Sequence, residues 1–122
     1  MTEPTLKAKR AFLDELRRAA ADRLAGNESA LGVQKYALDL AYQTLGWRLR
    51  DILDAVRRLD IGDFVERKAT DSTVRNGLVW VFELESDGRL VYMKFTKDEA
   101  GLRVISTHEH EPTDEAPDWT ER

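Results

Sequence analysis

The run RLVYMKF, Arg89 to Phe95, alternates apolar and polar residues with a period of two. On a strand this sends Val91, Met93 and Phe95 to one side and leaves Tyr92 and Lys94 together on the other. A neighbouring strand in suitable register would add His108 from the string THEHE. A phenol, an ammonium and an imidazole on one surface are the groups that metal-free phosphodiester cleavage uses. A base removes the proton of a ribose 2′-hydroxyl, a cation stabilises the pentacoordinate phosphate, and an acid protonates the leaving 5′-oxygen. Exposed Tyr, Lys and His on an edge strand also serve solubility alone.

Other chemistries are less well served. His108, His110, Glu109 and Glu111 invite a metal reading, but alternation along a strand lets at most two of the four converge, and no metal site is expected. Neither a G-x-x-x-x-G-K-[ST] nor a G-x-G-x-x-G string occurs, so no nucleotide cofactor is expected either. With no cysteine in 122 residues, disulfides, thiol catalysis and Cys-ligated zinc are excluded. Two basic pairs, Arg57 with Arg58 and Arg67 with Lys68, are candidates for a phosphate-contact patch. Trp80 and Trp47 read as core residues rather than base-stacking platforms.

The net charge of −4 argues against a nucleic-acid binder until its distribution is read. Six of the 23 acids but only one of the 19 bases follow His108, which leaves 17 acids and 18 bases before it. The acidity belongs to the tail, and the body is neutral. No run of about eighteen apolar residues occurs, so no membrane span is expected, and a cytoplasmic protein is.

The elements that must position these groups follow from periodicity. Leu6, Leu13, Leu16, Ala20 and Leu24 recur at helical spacing, predicting a helix over 5–25 that stops at Gly26 and Asn27. Val33, Tyr36, Ala37, Leu40, Ala41, Thr44 and Leu45 predict a second helix that ends at Gly46. Leu49, Ile52, Leu53, Val56 and Leu59 predict a third that ends at Gly62. The period then changes to two. Leu78–Glu85, Leu90–Thr96 and Leu102–His110 read as a meander of three antiparallel strands, and Asp63–Thr70 as a fourth, weaker one.

The expected fold is α+β. Two to three N-terminal helices pack on one face of a three- to four-stranded antiparallel sheet, whose other face stays open for function. Residues 1–111 form one domain and residues 112–122 a flexible acidic tail, which an RNA-binding face would attract as an intramolecular mimic of RNA.

From Leu38 to Glu111 the order of motifs resembles the MqsR family of bacterial toxins, within the RelE-like mRNA endonucleases. The carriers are LGWRLRDILDAVRRL, then Asp63 and Phe64, then VWVFEL, GRLVYMKF and RVISTHEHE. The resemblance implies a metal-independent endonuclease that acts on mRNA and is held inactive by a cognate antitoxin, of helix-turn-helix type. It implies that Tyr92 and His108 act in proton transfer, and that Lys94 with Arg67 or Lys68 holds the phosphate. Where the family has a lysine just after the DF pair, this chain has Val65 and Glu66; where a glutamine often follows the tryptophan, it has Val81. Two further readings use the same fold. One is a phage or mobile-element inhibitor that binds a nucleic-acid-binding or defence protein through its acidic surface. The other is a homodimer or larger homo-oligomer assembled through an exposed last strand.

Overall fold

The computed structural model describes residues 3–69, 78–99 and 101–109. Three helices, α1 (Leu6–Leu24), α2 (Lys35–Leu45) and α3 (Leu49–Arg58), precede most of a five-stranded sheet. Its strands are β1 (Gly32–Val33), β2 (Phe64–Ala69), β3 (Leu78–Ser86), β4 (Arg89–Asp98) and β5 (Gly101–Glu109). The strand order is β1-β5-β4-β3-β2. All neighbours are antiparallel except β1, which runs parallel to β5 through Gly32 opposite Arg103 and Val33 opposite Val104. The fold is therefore α+β as expected, with a mixed, open sheet.

Local chemistry sets the helix limits. The Thr5 hydroxyl accepts the Ala8 N–H at 3.1 Å and caps α1, while Gly46, at φ 72°, closes α2 in the left-handed region. Asp51 accepts the Arg48 N–H at 2.9 Å and opens α3. That helix ends at Arg58, four residues before the expected Gly62: Leu59 leaves the helical region at ψ 145°, and its carbonyl accepts from Arg17 Nε of α1 at 2.8 Å. Gly62 sits instead inside a short 3₁₀ turn, Ile61–Asp63.

The buried stripes of the helices follow the sequence periods in part. Leu13, Leu16 and Ala20 are buried, yet Leu6 is 53% exposed, and Phe12, which the period passed over, belongs to the core. Phe12 stacks on Trp80 with centroids 4.1 Å apart and planes 6° apart, docking α1 on the sheet. Tyr36 of α2 faces solvent instead of the core. Trp80 is buried and Trp47 packs against the same cluster, as their core reading anticipates.

All three helices place their buried residues in one cluster with Trp80, Phe82, Leu84, Val91, Met93, Phe95, Leu102 and Val104. A smaller cluster, Val79, Val81 and Ile105 with Tyr92 against it, lies on the other side of the sheet. The β3–β4 turn has Asp87 at φ 53° and Gly88 at φ 78°, the two positive angles of a type I′ hairpin.

The expectation of an exposed last strand is overturned. β1 lies along β5, the Gln34 N–H donates to the Val104 carbonyl at 3.0 Å, and the Glu109 N–H donates to the Thr44 hydroxyl at 3.0 Å. Two residues are too few to carry a period, so β1 leaves no pattern in the sequence. Replacing Phe12 by Ala removes the stack under α1 and is expected to destabilise the fold by about 3–5 kcal/mol. Equilibrium denaturation would show this as a lower midpoint at unchanged slope.

Candidate active face

Strand pairing orders the surface opposite the helices into cross-strand rows. The first row is Glu83, Tyr92 and His108; the second is Glu66, Val81, Lys94 and Ser106; the third is Lys68, Val79, Thr96 and Arg103. Tyr92 and His108 are direct partners on β4 and β5, and their rings stack with centroids 5.4 Å apart and planes at 26°. The Lys94 ammonium is 5.9 Å from the Tyr92 ring centroid. The three residues that the sequence singled out for chemistry thus come together.

The surroundings differ from a solvated strand edge. β4 and β5 are interior strands, and His108 is 1% exposed. Tyr92 is its half-buried neighbour in the row and the member of the pair nearer solvent. His108 Nδ1 lies 3.2 Å from the Glu109 carbonyl. A carbonyl only accepts, so in that contact Nδ1–H is the donor. Burial raises the Tyr92 phenol above its ordinary value of 10.0, and the carboxylates of Glu66 and then Glu83 push it in the same direction. The phenol is a proton donor throughout the neutral range.

The proposed phosphate contacts separate. Lys68 shares the Tyr92 face, half exposed and 3.8 Å from Glu66. Arg67 points to the helix side, where its guanidinium carbon is 5.3 Å from the Trp80 ring and its buried Nε meets no acceptor among the described residues. Arg57 and Arg58 are exposed on α3, across the sheet from Tyr92. Arg58 reaches Asp54 at 3.3 Å and Ser86, a residue of the helix-facing set, at 3.4 Å. The single patch that these cations were expected to form with Tyr92 is not present; sequence proximity had grouped residues that the sheet divides.

Sequence reasoning passed over Glu83 and Arg103, and treated Glu66 only as a departure from a motif. The signal that finds them is register. Each is the cross-strand partner, or one row away, of a residue already singled out. His110, Glu111 and the acidic tail lie outside the described residues. Among the described residues no group of three His, Asp or Glu is placed to hold a metal ion, and no helix is long and apolar enough to cross a membrane. The chain matches no protein-family model, and no curated protein matches it.

The raised Tyr92 value has a sign that can be checked. The folded state keeps its proton where the unfolded chain loses it, so this contribution to stability is full below about pH 10 and is lost as pH rises through the folded value. Tyr92→Phe should flatten the alkaline fall in stability. Glu66→Gln with Glu83→Gln should move the tyrosinate absorbance transition of Tyr92 back toward 10.0, read against the Tyr92→Phe chain to remove Tyr36 and Tyr42.

Proposed function

We propose that the chain is a metal-independent endoribonuclease that cleaves mRNA by acid-base chemistry, the toxin of a toxin-antitoxin pair. The observation that carries this reading is the placement of Tyr92, His108 and Lys94 on one side of the sheet, with Tyr92 and His108 stacked as direct cross-strand partners. The order of motifs that resembles the MqsR family supports it. The antitoxin that such a toxin requires, and a cytoplasmic location, belong to the same proposal.

Each group has a part. Tyr92, held protonated by burial and by two carboxylates, donates its proton to the leaving 5′-oxygen. Lys94 neutralises the charge that grows on the phosphate in the transition state. Glu66, the more exposed of the two carboxylates acting on Tyr92, accepts the 2′-hydroxyl proton. His108 is too deeply buried to meet the substrate. It acts as a positioning residue that holds the Tyr92 ring, and the tyrosinate left after the step regains its proton from water.

The test uses purified protein in excess chelator with a ribo-oligonucleotide. The expected products end in a 2′,3′-cyclic phosphate. Tyr92→Phe and Glu66→Gln should each lower the rate by about 10²-fold or more. Cleavage that persists unchanged in Tyr92→Phe combined with His108→Ala overturns the assignment.

A second reading, an interaction protein on the same fold, is favoured by two features. Glu66 and Glu83 flank Tyr92, and Arg57, Arg58 and Arg67 face away from it. An acidic surface presents charge where a nucleic-acid-binding partner receives phosphates. Absence of cleavage together with a stable, salt-sensitive complex with such a basic partner would select this reading.

A further inference from the structure

The face around Tyr92 is electrically polarised along its strands. Toward the β3–β4 turn it presents Glu83 and Glu85. Toward the other end it presents Lys94, then Lys68 and Arg103 in the row of Val79 and Thr96. Two acids temper the basic end, Glu66 beside Lys68 and Asp98 paired with Arg103. Tyr92 stands at the boundary.

Two β-bulges create this arrangement. In β5 the pairing runs Lys94 with Ser106 and then Phe95 with Val104, so Ile105 is the extra residue. In an unbroken register Phe95 would face Ile105 and Lys97 would face Arg103, sending Arg103 to the helix side. The bulge turns Arg103 onto the face of Tyr92 and Lys94. In β2 the register moves from Phe64 opposite Phe82 to Glu66 opposite Val81, with Val65 the extra residue. Without it Lys68 would face the helices and Arg67 would replace it. Bulges re-aim side chains and concentrate beside active sites.

We infer that the basic end of this face binds the sugar-phosphate backbone of a single-stranded nucleic acid, with Lys94 and Arg103 as its main cations and Lys68 at its margin. The choice of ligand class rests on the proposed RNA chemistry, but binding is measured separately from cleavage. Lys94 and the Arg103 row are two residues apart along the strands, about 7 Å, comparable with the spacing of successive phosphates on an extended chain. Arg103 is suited to phosphate because its guanidinium presents five donors in a planar fork. Asp98 accepts from Nη2, and the buried Nε meets no acceptor among the described residues. The aliphatic stem of Arg103 is seated on Gly32, where a Cβ would lie 3.0 Å from the Arg103 Cγ.

The experiment is fluorescence anisotropy of the full chain with a labelled, single-stranded 2′-deoxy oligonucleotide, which cannot be cleaved by 2′-hydroxyl attack, across a salt series. Lys94→Gln and Arg103→Gln should each weaken binding about tenfold at low salt and lower the log-log salt slope by about 0.7. Arg103→Lys should recover part of the affinity and the full slope. Asp98→Asn breaks the same ion pair as Arg103→Gln, yet should tighten binding, because it leaves the arginine and removes a negative charge. A purely structural pair would move both variants in the same direction. Arg57→Gln with Arg58→Gln, on the far side of the sheet, should change affinity less than twofold.

No measurable binding, or equal losses in Asp98→Asn and Arg103→Gln, or a dominant effect of Arg57 and Arg58, overturns the inference. A parallel assay on the ribo-oligonucleotide separates it from the catalytic proposal. Binding with the predicted variant pattern but without cleavage upholds this site and ends the nuclease reading. Cleavage with binding indifferent to Arg103 does the reverse.

Discussion

Alternation of side chains along β3, β4 and β5 is the constraint on which the rest of the molecule depends. Phe82, Val91, Met93, Phe95 and Val104 must all reach the helices to build the main cluster, and a slip of one residue in any strand would turn that strand's apolar set outward. Their burial therefore decides where every remaining residue of the meander points. Tyr92, Lys94 and His108 lie opposite the helices because their neighbours in sequence cannot. The two bulges are the places where the rule is broken, and both exchange charged residues between the faces at little expense to the core.

The same division governs electrostatics. A sheet only one residue thick separates the surface around Tyr92 from Arg57, Arg58 and Arg67, so a chain that is nearly neutral before its tail is locally anything but uniform. The phenol lies among apolar side chains and two carboxylates, conditions that all favour its neutral form.

Much of this was legible in the sequence, and the failures have physical causes. Helix and strand periods are cumulative signals, so α1–α3 and the β3–β5 meander can be read from ten or so residues each. The face shared by Tyr92 and Lys94 is legible because one strand's parity suffices. What linear order cannot carry is register between strands. A bulge is one unremarkable residue, Val65 or Ile105, and nothing local marks it. Arg67 and Lys68 thus look like a pair and behave as opposites, while Arg103 is hidden by its distance in sequence from the residues it joins. Phe12 borders the periodic stripe, and its place in the core comes from Trp80 on a strand almost seventy residues later.

The small strand β1 has a consequence beyond completing the sheet. A meander as apolar as β3–β5 would be a template for other chains if its last strand were bare, since unpaired backbone groups beside buried valines and isoleucine recruit further strands. Gly32 and Val33 occupy that side, and the absence of a side chain at Gly32 lets the backbone come close enough to do so beside Arg103. Lateral growth is then confined to β2, where the bulge at Val65 and the charges of Glu66 and Lys68 interrupt the edge. The chain keeps Tyr92 and its charged neighbours on one face of the sheet while closing the route by which such sheets coalesce.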